Sequence, residues 1–221
     1  IINYYTIMKI FNKKLSRNYY YYFLLIISFL TIFNVNNTFA TDKKINAWVL
    51  DNSRSYLDFS SVKNASIIEV HKFKDLSGGI TQDGLVKINI SLSSVATGIE
   101  IRDQRLKDYL FETKKYPNAV FTTQVNLKKV LSEIKENKVY QKKLDGYLTL
   151  KGHKVFLKLN IKIKSLSSKT VQIMSLKPIV LNIVDFKMTE GIEKLQEMAQ
   201  LDSIGFNVPI NFKAVFKKNE K

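Results

Sequence analysis

Beyond residue 40 the chain is dominated by alternation. Val155, Leu157, Leu159, Ile161 and Ile163 are spaced by Phe156, Lys158, Asn160, Lys162 and Lys164, the two-residue period of a strand with one dry and one wet face. Val86, Ile88, Ile90 and Leu92 alternate in the same way with Lys87, Asn89, Ser91 and Ser93. A last strand runs through Ile204, Phe206, Val208, Ile210 and Phe212, with Pro209 on the opposite face, where a proline suits an edge, a bulge or a position without a ladder donor. Weaker strands are predicted over 48–51, 56–62, 65–73, 144–150 and 171–186, the last with a break near Pro178. Asp83-Gly84 joins two strands, Gly78-Gly79 marks backbone needing freedom, and Lys151-Gly152-His153-Lys154 closes a hairpin. Two segments read as helix: a short turn over 102–110, and 190–201, where Ile192, Leu195, Met198 and Ala199 share a face. Eight to ten antiparallel strands allow a sandwich or a closed barrel, and strand count does not choose between them.

The first forty residues are of another kind. Met8 opens what reads as a secretory signal, with Ile1–Ile7 as upstream sequence. Lys9, Lys13, Lys14 and Arg17 form a basic start, Tyr19–Val35 an apolar core, and Thr38-Phe39-Ala40 the small residues that precede cleavage before Thr41. An uncleaved anchor is the competing reading, but Asn34, Asn36 and Asn37 close the apolar run early. The expected product, 41–221, is one domain with no stable transmembrane segment, and its location is periplasmic or secreted.

Charge narrows the partners. The chain carries 35 basic and 19 acidic residues, +16, and removal of the signal leaves 31 against 19, or +12. The lysines are spread along the chain, with no arginine-rich helix and no aromatic-basic alternation, so they read as a solvated surface and no nucleic-acid partner is expected. There is no cysteine, which removes disulfides, thiol catalysis and cysteine-ligated metals. Two histidines without a cysteine give a transition-metal site little support, and no serine lies in a nucleophile elbow. No cofactor, metal or catalytic residue is assigned.

Residues 99–125, IEIRDQRLKDYLFETKKYPNAVFTTQV, join the end of one strand to a polar helical turn and a new strand entered through Tyr116-Pro117. This segment resembles the signature of the YceI-like (polyisoprenoid-binding) proteins, and four further matches follow in register. Trp48-Val49-Leu50-Asp51 with Ser55-Tyr56-Leu57-Asp58-Phe59 resembles the family's opening; Glu69–Phe73 with Leu76-Ser77-Gly78, its second strand. Gly146-Tyr147-Leu148-Thr149-Leu150-Lys151-Gly152 is similar to its hairpin, and Leu201-Asp202-Ser203-Ile204 with Val208-Pro209-Ile210 and Phe212 to the ending of one subgroup. The chain departs from that subgroup at Asp103, often Asn, and Asp202, often Gly or Pro.

The resemblance implies an all-β, lipocalin-like antiparallel barrel of about eight strands with one or two short helices. It also implies an elongated apolar cavity for an isoprenoid or fatty-chain lipid, and a non-enzymatic binding role; an oligomer is possible. Candidate ligand-binding residues are His71, Phe73, Arg102, Arg105, Phe111 and Phe121. His71 is read first as a satisfied, half-buried strand histidine, with donation to a head group as the alternative. His153 is read as solvated. Arg102, Asp103 and Arg105 are read first as pins for the short helix, with the two guanidiniums holding a phosphate or carboxylate as the alternative. Phe111, Tyr116 and Phe121 are expected to pack the turn against the barrel. A second reading of the whole is a stress-protective or interaction module of the cell envelope, its barrel filled by side chains. A cavity below about 300 Å³ would favour it.

Overall fold

The computed structural model describes residues 46–135 and 138–220, and the secretory segment expected over 1–40 lies outside them. Twelve antiparallel segments are present among these residues: β1 (Asn46–Leu50), β2 (Tyr56–Lys63), β3 (Ile67–Phe73), β4 (Leu76–Thr81), β5 (Leu85–Ser91), β6 (Val95–Ala96), β7 (Asn118–Gln124), β8 (Val139–Leu150), β9 (His153–Ser167), β10 (Thr170–Ser175), β11 (Ile179–Asn182) and β12 (Asn207–Lys218). They make eight staves, because β1/β2, β3/β4, β5/β6 and β10/β11 are each one ribbon with a break. The ring runs β1–β4–β5–β7–β8–β9–β10–β12 and closes where β12 pairs β1, through Trp48–Lys218 to Leu50–Phe216. Each stave therefore neighbours the one before it in sequence, an up-and-down closed barrel. The barrel expected from the family resemblance is observed, and the sandwich is not.

The alternation places the core as anticipated. On β9, Leu159, Ile161 and Ile163 are buried, while Lys154, Lys158 and Asn160 face out with Phe156, which packs on Tyr147 across the hairpin. That hairpin turns on Lys151 and Gly152, both at positive φ (49° and 77°), the two-residue geometry that matches strand twist. In β4, Gly78 sits at φ +130°, and a Cβ there would lie 2.0 Å from the Lys87 carbonyl oxygen, so the close approach of β4 to β5 demands glycine.

Side chains take over backbone bonding at the breaks. Asn52 donates through Nδ2 to the Lys74 carbonyl (3.1 Å) and accepts from the Leu76 N–H (2.9 Å), spanning the gap between β3 and β4. Ser94 Oγ accepts from the Lys74 and Asp75 amides at 3.1 and 3.0 Å. Ser55 and Ser175 accept from Val215 and Phe212 of β12 at 3.0 and 3.2 Å. Buried amides that leave the ladder must find such partners, so the interruptions cost little.

Three helices connect staves. α1 (Glu100–Arg105) runs into one π turn (Leu106–Leu110), closed by the Phe111 N–H on the Leu106 carbonyl at 2.9 Å. α2 is Leu127–Glu133, and α3 is Thr189–Ala199, entered through a 3-10 turn at Ile183–Phe186. α3 meets the π turn at Gly191, where a Cβ would stand 2.7 Å from the Tyr109 carbonyl oxygen. The sequence reading assigned no helix at α2. Its signals are present all the same: Asn126 Oδ1 accepts from the Lys129 amide (3.0 Å), and Leu127, Val130 and Ile134 pack on the core. The run 171–186 is broken at 176–178 as expected but ends in the 3-10 turn. The last strand starts only at Asn207, with Ile204 making a single bridge to Lys63. Pro209 falls one residue before β12 begins to pair β2.

Asp51, at the β1 break, is the best-satisfied carboxylate. Lys217 Nζ and Arg54 Nε each approach Oδ2 at 2.8 Å, and Ser53 donates at 2.6 Å. These bonds, Lys217's foremost, hold its carboxyl far below the usual range against the opposing effect of burial. A lowered carboxyl value stabilises the fold above the unfolded value of about 4, and that stability is lost as pH falls below it. Asp51→Asn is expected to cost about 1–2 kcal/mol at pH 7 in urea unfolding, since the cationic partners are largely solvated, and to flatten the loss of stability below about pH 4.

Candidate functional site

One end of the barrel is not filled by its own side chains. β2, β3, the 3-10 turn, α1 and α3 enclose a cavity of about 570 Å³. Its walls are apolar: Leu57 and Phe59 from β2, Phe73 from β3, Leu106 and Phe111 from the α1 segment, and Ile192 and Leu195 from α3. Phe59, Phe73 and Phe111 form a tilted ladder with centroids 5.2 and 5.6 Å apart. The π turn brings Leu106, Leu110 and Phe111 onto this wall together, which a regular helix would not do at that spacing. A smaller space of about 150 Å³ lies further into the barrel, and Leu57, Ile90, Leu148, Leu181 and Ile210 line both. These five residues form a waist between the two cavities.

Polar groups gather on β2, β3 and α1. Glu69 accepts from Lys63 Nζ at 2.9 Å and from Arg102 Nη1 at 2.7 Å. Lys63, then Arg102, hold its carboxyl below the ordinary value although burial opposes them. Arg102 is otherwise spent on the fold: Nε donates to Thr97 Oγ1 (2.8 Å) and Nη2 to the Thr97 carbonyl (2.7 Å). Asp103 Oδ1 accepts from the Thr97 amide and hydroxyl at 2.8 and 2.5 Å. Arg102 and Asp103 thus pin the start of α1, the structural role expected of them.

Arg105 differs. Its Nη1 donates to the Met198 carbonyl at the end of α3 (3.2 Å), but its buried Nε has no partner, and it forms no ion pair among the described residues. His71 is also incompletely satisfied. It is only 5% exposed, its Nε2 lies 3.0 Å from Ser61 Oγ, and its Nδ1 has no partner. Burial, then the positive charge of Arg102, push its pKa down and favour the neutral ring. This corrects the reading of His71 as satisfied and half-buried. A buried polar atom without a partner costs roughly 1–3 kcal/mol, so two on one cavity are a feature to be explained.

Five of the six residues singled out in the sequence, His71, Phe73, Arg102, Arg105 and Phe111, line the large cavity. Phe121 does not. It lines the smaller space and lies against Gly146, where a Cβ would come within 2.4 Å of its ring. His153 and Tyr116 line neither. The reading missed Ser61, Lys63 and the pairing of Glu69; the available signal was a carboxylate on the inward face of β3, in step with His71 and Phe73. Among the described residues no group of three or more His, Asp or Glu could hold a metal ion, and no helix is long and apolar enough to cross a membrane.

A closed up-and-down barrel with an apolar cavity under two helices and a polar group at one side defines the class of protein. The model of the YceI-like domain matches residues 48–216, and the chain belongs to that family. Among solved structures, it is similar to a polyisoprenoid-binding domain from Saccharophagus degradans implicated in plant cell wall breakdown. The two are 31% identical with a TM-score of 0.77, over 79% of this chain and all of that one. It shares its fold with BcnA of Burkholderia cenocepacia (18% identity, TM-score 0.58, 75% of this chain and 98% of that one). The same holds for a YceI protein of Campylobacter jejuni (22%, 0.51, 68% and 85%). No curated protein matches the chain.

The lowered pKa of His71 has a stability consequence. Below about pH 6.5 the unfolded chain binds a proton that the folded ring resists, so stability falls with pH until the folded value is reached. Equilibrium unfolding between about pH 7 and 5.5 should show that slope in the wild type, and His71→Phe should remove it.

Proposed function

We propose that the protein is an exported, non-enzymatic carrier of a long-chain amphiphile, an isoprenoid or a fatty-chain lipid, held with its tail in the barrel. The observation that carries this reading is the cavity of about 570 Å³, walled by aliphatic and aromatic side chains and holding two unpartnered buried nitrogens. That volume falls in the range of small-molecule sites, roughly 300–1,000 Å³, and argues against a barrel filled by its own side chains. The similarity to a polyisoprenoid-binding domain at 31% identity supports the same class of ligand.

The energetics suit a long tail. Burying a methylene is worth about 0.8 kcal/mol, so a fifteen-carbon tail offers about 12 kcal/mol gross, of which association costs of about 4–15 kcal/mol remove much. Tail length then dominates affinity, and the waist at Leu148 and Leu181 marks where a longer tail would enter the smaller space. The head group takes its orientation from Arg105 Nε and His71 Nδ1, and Arg105, a cation without a carboxylate partner among the described residues, favours an acceptor with negative charge. The location this reading carries is the periplasm or the exterior.

Protein purified without detergent, extracted with organic solvent and examined by mass spectrometry, is expected to yield a stoichiometric apolar chain. Repeatedly clean extracts, together with no binding of fluorescent fatty or polyprenyl probes, would overturn the proposal. Arg105→Met should weaken a carboxylate-headed probe about tenfold or more while leaving an alcohol-headed probe of equal length nearly unchanged.

A further inference from the structure

The large cavity meets solvent among exposed aliphatic side chains. Ile99 and Ile101, at the start of α1, belong to the cavity wall and are nevertheless 48% and 59% exposed. The salt bridge from Arg102 to Glu69 ties this segment to β3 at 2.7 Å. On either side of Glu69 stand Ile68 and Val70, each 67% exposed on the outer face of the strand, and Lys72 continues that face as an exposed cation. Ile67 adds a further half-exposed side chain at the strand's beginning. Isolated exposed apolar residues need no explanation, but two aliphatics on the rim of an apolar cavity, tied by a salt bridge to a strand that exposes three more, do.

We infer that this lip docks on a phospholipid bilayer, with Ile68, Val70, Ile99 and Ile101 entering the interfacial region and the cavity mouth facing the acyl chains. The inference rests on the carrier reading, because it supplies the route by which an insoluble tail reaches the cavity. Two observations name the bilayer as occupant. Ile99 and Ile101 are both exposed and part of the cavity wall, so a chain passing from membrane to barrel along them meets apolar side chains on the way in. The charge is complementary as well: Lys72 stands beside the aliphatics as an exposed cation, and the chain without its expected signal is +12, which favours anionic head groups. The long stem of Lys72 can lie along the lip while its head remains at the phosphate level.

The absence of cysteine makes the test local. Val70→Cys and Ile101→Cys, each labelled with an environment-sensitive NBD dye on protein stripped of bound lipid, are mixed with vesicles of phosphatidylcholine and phosphatidylglycerol. Phe156→Cys, on an exposed apolar residue of the barrel wall, is the control. Blue-shifted, brightened emission at 70 and 101, quenched by nitroxide lipids, is expected, with no change at 156. Ile68→Glu combined with Val70→Glu should then raise the vesicle concentration needed for the shift at 101 about tenfold. No shift at 70 and 101, or an equal one at 156, overturns the inference. So does a shift that follows protein concentration without vesicles, which would mean that a second copy covers the lip. Because stripped protein is used, failure here leaves the extraction result standing, and an empty extract leaves the docking result standing.

Discussion

The structure depends on the pairing of β12 with β1. An open sheet of eight staves would expose two ladders of unpaired backbone, and the register from Trp48–Lys218 to Leu50–Phe216 removes both. Closure at eight strands also fixes a diameter just wide enough for side chains to fill or for one ligand to occupy. Whether the interior is solid or hollow is then decided locally. Near β1 and β12, Trp48, Leu50 and Phe216 are buried and leave only the smaller space of about 150 Å³. At the other end the staves break, the helices take over as a wall, and the cavity opens.

The breaks reconcile closure with capacity. A continuous stave would keep its inward residues in step with the barrel axis. The interruptions at 51–55, 74–75, 92–94 and 176–178 release β2, β3, β6 and β11 to follow a different course, and Asn52, Ser55, Ser94 and Ser175 keep their amides satisfied. The same logic governs the polar side of the cavity. Arg102 and Asp103 are consumed in fastening α1 to Thr97 and Glu69, whereas Arg105 and His71 each keep a buried nitrogen unpartnered. Neighbouring arginines of one short motif thus differ: Arg102 is fully engaged and Arg105 is not.

Much of the fold was legible in the chain because a strand writes its environment with a period of two. β5 was readable to within a residue or two and β9 to within three, the hairpin at Lys151-Gly152 announced itself, and α3 showed its buried face through Ile192 and Leu195. α2 escaped notice because seven residues give barely two turns, too few for periodicity to stand out from the lysines around it. Of the site, His71, Phe73 and Arg105 could be nominated. Phe121 was grouped with them because alternation says that a side chain points inward and nothing about which level of the interior it reaches.

By itself the sequence determined the inward and outward faces of the staves, the positions of the turns and, through motifs in fixed order, the family. Those properties are local: they follow from φ/ψ preferences and from burial patterns a few residues long. Only the tertiary structure decided that the sheet closes, that the interior divides at a waist, and that Arg105 and His71 remain incompletely bonded. Each of these depends on groups brought together by the fold, as when Met198 meets Arg105 from 93 residues away, and no local pattern encodes a hydrogen bond that is not made.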